Sequence, residues 1–549
     1  MTRNLRGADI LARSLAAAGI RRVFTLSGNH VMVVFDAALD AGLELIHVRH
    51  EAAATHMADA YGRLTGEIGV ALATGGPGHA NAVAALYTAL AAESPVLLLS
   101  GHAPLDELGR GAFQELRQAD LAAPVTKASW TASSAATLGH DVARAIRTAK
   151  GGRPGPVHLS LPQDVLDAVV SDAAQLIPRP ADFAAPAVPL DVSAGESVLA
   201  QLASAMRPLI LVGPAMMGGR AQALLDQLAV ATNVPVVGMD SPRGTSDPSL
   251  GAFQEALVRA DLVVLVGKQL DFAIGYGKPP AVDSACRFMH IDPDPAAIEQ
   301  SHREVDERLI QSALADPLPA VQRLTDLAAT RPRHPSSWFE EVRAAVAYRP
   351  AAWSSLRSDV EGKVHPVDVC RAVQRLLDRD RQAVLVLDGG EFGQWARACL
   401  TARRCVTNGP AGSIGGALPF AAAARFASPQ STIIAMLGDG TFGFHPAEYD
   451  TAVRYDLPFV AVVGNDARWN AEHQIQLRTY GPGRAQGCEL LPTRYDLVAA
   501  AFGGHGEHVT RADDLPDALE RALRSGRPAC VNIAIESIAA PSLARRGVA

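Results

Sequence analysis

Cysteine is scarce in this 549-residue chain. The six present, Cys286, Cys370, Cys399, Cys405, Cys488 and Cys530, include no C-x-x-C pair and have no histidines at zinc-ligand spacing. That pattern suggests neither a zinc site nor a disulfide framework, and a reducing cytoplasm is the simplest setting. Charge is also modest, at 19% of residues with a net of -7, which speaks against an electrostatic nucleic-acid binder. The long apolar segments are broken by Gly, Pro or charge, so no convincing span of about twenty residues is available to cross a membrane. Met1-Thr2-Arg3-Asn4-Leu5-Arg6 is not followed by the uninterrupted apolar core and cleavage site of a secretory leader. A soluble enzyme is expected.

Apolar residues are plentiful, at 48%, and glycine and alanine are abundant. A chain of this length is too long for one core, so two to four domains are expected. Helical spacing over Ala8–Ala18 is followed by short apolar strands at 23–26, 44–48, 70–74 and 96–100, alternating with helices and closing near 157–162. Continuous apolar strands alternating with helices argue for a parallel sheet covered on both faces. Residues 177–195, rich in Pro, Ala and Asp, read as a linker. Strands at 208–212, 262–266 and 287–292 mark a second unit. Val234-Pro235-Val236-Val237 is a weaker strand candidate, because Pro235 cannot donate to a ladder. No G-x-G-x-x-G fingerprint opens any of these strands, so the unit is either a structural layer or a nucleotide site without that signature. Helical sequence over 335–356 leads to a third unit with strands at 383–387, 434–438, 459–465 and 529–534. The expected domains are 1–176, 192–334 and 360–549, all α/β and built on parallel sheets.

Two stretches of the third unit organise the chain. Ile434-Ala435-Met436-Leu437-Gly438-Asp439-Gly440 and Phe459-Val460-Ala461-Val462-Val463-Gly464-Asn465-Asp466-Ala467 are apolar runs ending in polar turns. Buried parallel strands deliver chemistry at their C-terminal ends, which places Asp439 beside Asn465. Gly438 and Gly440 let backbone approach a ligand, and a helix starting near Pro446 offers N–H groups to an anion. A hard cation suits this oxygen-rich turn, because Mg2+ reaches a protein through one or two carboxylates plus substrate phosphates.

Gly438-Asp439-Gly440 with Asn465 resembles the signature of thiamine diphosphate (ThDP)-dependent enzymes. The resemblance covers about 7–536 and implies pyrimidine-binding, middle and diphosphate-binding domains. It also implies that Asp439, Asn465 and the carbonyl of Ala467 hold Mg2+ on the cofactor, with Gly440 beside the diphosphate. Gly464 departs from the family's usual asparagine. Asn408-Gly409-Pro410-Ala411-Gly412-Ser413-Ile414 resembles the loop that bends ThDP, implying Gly412 as a carbonyl acceptor and Ile414 as the apolar wedge. Gly389-Gly390-Glu391-Phe392 is placed near the diphosphate, with Gly390 as a cofactor residue. Glu51, after His47-Val48-Arg49-His50, stands where the family's glutamate meets the aminopyrimidine ring. A carboxyl group in an enclosed apolar cleft tends to keep its proton, which suits that exchange.

On the substrate side, Leu26-Ser27-Gly28-Asn29-His30 resembles benzaldehyde lyase, implying His30 in proton transfer. Gly111-Ala112-Phe113-Gln114-Glu115 resembles loops of acetolactate synthase and 2-hydroxyacyl-CoA lyase, implying Gln114 as a cleft residue able to hold a carbonyl oxygen. His79 is a further polar candidate that also reads as packing, and Arg468 and Asn470 are candidates that could equally cap or pack the following helix. The combined resemblance implies an acetolactate-synthase-like carbon–carbon lyase or carboligase acting on a small 2-oxo acid or 2-hydroxy carbonyl compound. A 2-hydroxyacyl-CoA lyase giving formyl-CoA is the alternative, and a catalytically inactive relative a third reading. It further implies sites shared between subunits of a homodimer or homotetramer, with neither nucleic acid nor membrane as partner.

Overall fold

The computed structural model describes residues 4–171 and 173–545; residues 1–3, 172 and 546–549, which include the very start read above, lie outside the described residues. Buried apolar runs build three parallel sheets. The first orders its strands Glu44–His47, Arg22–Thr25, Gly69–Ala73, Val96–His102, Val157–Pro162 and Ala128–Thr131, with every neighbouring pair parallel. The third sheet repeats that connection order with Arg404–Thr407, Val384–Leu387, Ile433–Gly438, Val460–Asn465, Ala529–Ala534 and His505–Val509. Two sheets with the same winding account for the similar patterns at the two ends of the chain.

The central sheet is a five-stranded version: Val236–Gly238, Pro208–Val212, Leu262–Val266, Arg287–Asp292 and Leu309–Leu314. Its weak strand candidate is an edge strand beginning at Val236, where Pro235 costs no ladder bond and its carbonyl accepts the Ile210 N–H at 2.9 Å. The linker ends earlier than its composition suggests. A helix starts at Val192, capped by Asp191, which accepts from the N–H groups of Ser193 and Ala194. Among the described residues, no helix is long and apolar enough to cross a membrane.

Strand order in the central sheet reverses between Pro208–Val212 and Leu262–Val266, the crevice where doubly wound sheets take nucleotides. Here the chain's own charges fill it. Glu93, from the first unit, accepts the Ala215 N–H at 3.0 Å, and Arg153 pairs with both Glu93 and Asp292. Lys268, 3% exposed, is held by Asp271 at 2.7 Å. Of the two readings the sequence leaves open, these contacts favour the structural one.

The first and third sheets share one core. Phe24, Ile46 and Met57 belong to the same buried cluster as Val384, Phe420 and Phe442. Alanine-rich helices Glu51–Thr65 and Ala417–Ala427 face each other across it. Burying imidazoles in such a core has a pH cost. Burial pushes His56 and His445, whose rings lie 5.8 Å apart, down to about 3, and His79 to about 4. A histidine depressed in the folded state protonates first in the unfolded chain, so its contribution to stability falls as pH drops below about 6.5. For His79 the loss between pH 7 and pH 5 is roughly 2 kcal/mol. Unfolding at both pH values should therefore show a His79→Gln variant losing about 2 kcal/mol less than the parent. Equal pH sensitivity would remove His79 from the account.

Candidate functional site

The third sheet brings the organising stretches together at their C-terminal ends. Gly438 and Gly464 are paired in register on adjacent strands, so Asp439 and Asn465 follow as neighbours. Asp439 is buried and accepts the Arg468 N–H at 3.2 Å. Asn465 donates to the Thr493 carbonyl at 2.9 Å and to Asn532 Oδ1 at 3.1 Å, and its own oxygen accepts the Ala467 N–H at 3.2 Å. Ala467 adopts a left-handed conformation, φ 57°; its carbonyl takes the Leu490 N–H at 2.7 Å and keeps a second lone pair. Gly464 has a structural reason: the Phe392 ring fills the space that any side chain there would need. At Gly440 a Cβ would lie 2.6 Å from the Trp469 ring.

The helix begins at a different place from the one the sequence suggests. A short helical turn, Asp439–Phe442, follows Gly438 directly, and the next helix starts at Glu448 rather than near Pro446. Neither that turn nor the helix Gly390–Cys399 has a side-chain cap, so both leave first-turn N–H groups open for an anion. Gly390, φ 79°, has nothing within 4 Å of a would-be Cβ.

Asp388, at the end of the strand Val384–Leu387, ties two walls of the site together. Its buried carboxylate accepts the N–H groups of Gly389 at 2.7 Å, Gly415 at 3.1 Å and Ala417 at 3.1 Å, and the Asn408 amide at 3.0 Å. Burial raises its pKa despite those donors. Sequence reasoning passed over Asp388, whose partners lie up to twenty-nine residues away; its one local signal is an acidic residue closing an apolar strand. The loop it holds carries Gly412 and Ile414, and the Ile414 side chain packs 2.7 Å from where a Cβ on Gly389 would stand.

These pieces surround a cavity of about 290 Å³ lined by Gly390, Gly412, Ile414, Asp439, Gly440 and Asn470 among others. Arg468 also lines it, while Asn470 is fixed by the tail, donating to the Ile538 carbonyl at 2.9 Å and accepting from Ser537 at 3.1 Å. The central unit contributes Ser241, Pro242 and Arg243.

Glu51, His30 and Gln114 are not on this cavity's walls; they gather at the strand ends of the first sheet. Glu51 opens the helix Glu51–Thr65, is 8% exposed, and accepts the Asn81 amide at 3.0 Å. A Cβ on Gly78 would stand 3.2 Å from its Oε1, so glycine there keeps the carboxylate accessible. His30 meets the Thr74 hydroxyl at 3.2 Å and stacks on Phe113; burial lowers its pKa. Gln114 is half-buried, at φ 55°, with its backbone pressed over Gly76. His79 lies deeper, its Nδ1 2.8 Å from the Ser100 hydroxyl and its Nε2 without a partner.

The cavity's chemistry fits a diphosphate with a divalent cation. Burial raises Asp439 to about 6, and burial with the neighbouring Asp439 charge raises Asp466 to about 7; a cation would relieve both. Gln394 Oε1, on the cavity wall, is buried without a partner. Among the described residues no group of three or more His, Cys, Asp or Glu side chains could hold a metal alone, so a cation here draws further ligands from the phosphates.

Comparison with known proteins gives the same picture along the chain. Residues 5–121 match the thiamine pyrophosphate enzyme N-terminal TPP binding domain, 196–315 the central domain and 388–533 the C-terminal TPP binding domain; thiamine pyrophosphate is another name for ThDP. The chain is 34% identical over 545 residues to a probable acetolactate synthase of Mycobacterium bovis, covering 97% of this chain and 96% of that protein. It is 30% identical to 2-hydroxyacyl-CoA lyase 2 of Caenorhabditis elegans, covering 96% and 89%, and 27% identical to a probable acetolactate synthase large subunit of Methanocaldococcus jannaschii, covering 97% and 92%.

Proposed function

The chain belongs to the thiamine pyrophosphate-dependent enzymes, and from that premise we propose that it makes or breaks a carbon–carbon bond beside a carbonyl group, as an acetolactate-synthase-like carboligase or lyase acting on a 2-oxo acid or 2-hydroxy carbonyl compound. The observation that carries the reading is the pairing of Asp439 and Asn465 on adjacent strand ends, beside two uncapped helical turns. When bound, ThDP supplies a thiazolium carbon able to add to a carbonyl and an electron sink for the bond that breaks. Asp439, Asn465 and the Ala467 carbonyl would hold Mg2+, and the N–H groups opening Gly390–Cys399 and Asp439–Phe442 would bind the diphosphate. Gly412 and Ile414 would line the cofactor's rings, and Asp388 keeps their loop against Gly389. Glu51 holds the proton shared with the aminopyrimidine ring nitrogen, while His30 and Gln114 face the substrate.

Glu51 and the cavity lie on separate parts of one chain, so we infer that each working site joins the first unit of one subunit to the third unit of another, in a homodimer or homotetramer.

The test is product analysis by mass spectrometry after reconstitution with ThDP and Mg2+, offering pyruvate and a 2-hydroxyacyl-CoA separately. Carbon dioxide and a ligated product from pyruvate, with the thioester intact, is the expected result. Formyl-CoA with the matching aldehyde or ketone would replace this reading by the lyase one, which the similarity to 2-hydroxyacyl-CoA lyase 2 supports. Cofactor uptake without turnover of any offered substrate would leave the inactive relative.

A further inference from the structure

The central unit meets the cofactor cavity through the loop after its edge strand Val236–Gly238. Pro242 packs against the ring-bending loop, its Cβ 3.2 Å from where a Cβ on Gly412 would stand. Arg243 reaches the opposite wall, its guanidinium 3.6 Å from Glu391 Oε2, directly after Gly390. The loop thus spans from Gly412, in the ring-bending loop, to the turn placed at the diphosphate.

Of the three arginines that line this cavity, Arg468 follows the cation turn, while Arg243 and Arg397 are in different states. Arg397 is committed: it is buried and bonded to Asp247 at 2.6 Å and Asp240 at 2.8 Å. Arg243 is 40% exposed and, among the described residues, no side-chain hydrogen bond fixes its guanidinium. Its ion pair with Glu391 is longer than a direct hydrogen bond, so the planar fork of donors that matches a carboxylate is unsatisfied. Glu391 is committed elsewhere, since its Oε2 accepts the Ala540 N–H at 3.0 Å and its side chain is 5% exposed. Arg478 and Glu472 are the other charges that act on Glu391, and they oppose each other in sign.

We propose that Arg243 is a specificity-determining residue that binds the carboxylate of a 2-oxo acid substrate, with Glu391 holding the guanidinium ready when no substrate is present. This rests on the functional reading above and names the substrate class more narrowly. The reacting end of a 2-hydroxyacyl thioester carries no charge and would gain nothing from Arg243. A mobile arginine beside a single carboxylate can exchange that long contact for a bidentate one at small cost, whereas a doubly bonded arginine such as Arg397 cannot.

The experiment uses ThDP–Mg2+-loaded protein and two isosteric probes that do not turn over, oxamate (a 2-oxo acid mimic) and oxamide (its neutral counterpart), with binding measured by calorimetry. ThDP affinity is followed separately through quenching of tryptophan fluorescence. Wild type is expected to bind oxamate at least tenfold more tightly than oxamide. Arg243→Gln should bind both alike, Arg243→Lys should keep part of the preference, and Glu391→Gln should bind oxamate more tightly than wild type. ThDP affinity should stay within threefold in all three variants. A wild type without preference, or an Arg243→Gln variant that keeps it while still holding ThDP, overturns the assignment. A wild type that takes up no ThDP strikes the cofactor reading itself, and Arg243 falls with it.

Discussion

Glu51→Gln is expected to lower kcat by roughly a hundred- to ten-thousand-fold, the range for removal of a positioned proton-transfer group, while leaving ThDP binding within a few fold. Glutamine keeps the volume and can still meet the Asn81 amide, but it cannot hold a proton between the protein and the cofactor ring. The competing account is that Glu51 is only an acidic residue in the first turn of the helix Glu51–Thr65. That role is worth about 0.3–1 kcal/mol to stability, whereas the expected rate loss corresponds to roughly 3–5 kcal/mol of barrier. A variant with unchanged turnover and a slightly lower melting point would assign Glu51 to the helix instead.

Asp439→Asn should act through binding rather than proton transfer. Apo wild type carries two carboxylates, Asp439 and Asp466, on adjacent strand ends, both pushed up chiefly by burial. At pH 8 the cost of ionising Asp439 there is up to roughly 3 kcal/mol. The sign follows from its raised folded pKa: the group contributes stability below about pH 4 that is lost as pH rises through about 6. Asparagine removes that cost, so the apo variant should melt higher than apo wild type at pH 8. The order should reverse once ThDP and Mg2+ are added. Cofactor at a hundred times its Kd stabilises wild type by about 2.7 kcal/mol, and the variant should gain little of this. A variant that gains as much as wild type would remove Asp439 from the cation site. The two variants also test the shared site together. Mixed and reassembled, inactive Glu51→Gln and inactive Asp439→Asn subunits should recover activity, because one site in each hybrid dimer is then intact. A mixture that stays inactive would place both residues in one subunit's site.

Local pattern made much of this architecture readable. Pro208–Val212 and Leu262–Val266 are continuous apolar runs in the sequence and strands with those bounds in the structure, because strands covered on both faces admit little else. Besides the short antiparallel pair Leu5–Arg6 and Val169–Val170, the strands left unread, Ala128–Thr131, Leu309–Leu314, Arg404–Thr407 and His505–Val509, are all at the edges of the parallel sheets. An edge strand keeps one flank in water: Leu309–Leu314 alternates between covered and exposed positions, and His505–Val509 buries only its last residue. The same contrast holds at the site. Asp439 and Asn465 announce themselves through neighbouring glycines, whereas Asp388 and Arg243 acquire their meaning from partners far along the chain, Ala417 and Glu391. Whether Glu51, His30 and Gln114 share a cavity with Asp439 depends on how whole units dock, which spacing along a strand does not encode.

The three units also divide the labour in a way that bears on how such a protein can change over generations. The strand-end turns of the third sheet are locked by register, by Asp388 and by glycines that tolerate no side chain. The central unit touches the cavity through a short surface loop, Ser241-Pro242-Arg243, carried on an edge strand. Of the three, Arg243 is exposed and without a side-chain hydrogen bond among the described residues, whereas Ser241 is buried and Pro242 packs against the Gly412 loop. On the proposal above, a lineage can therefore change its substrate preference by drift at Arg243 while its inherited chemistry stays intact.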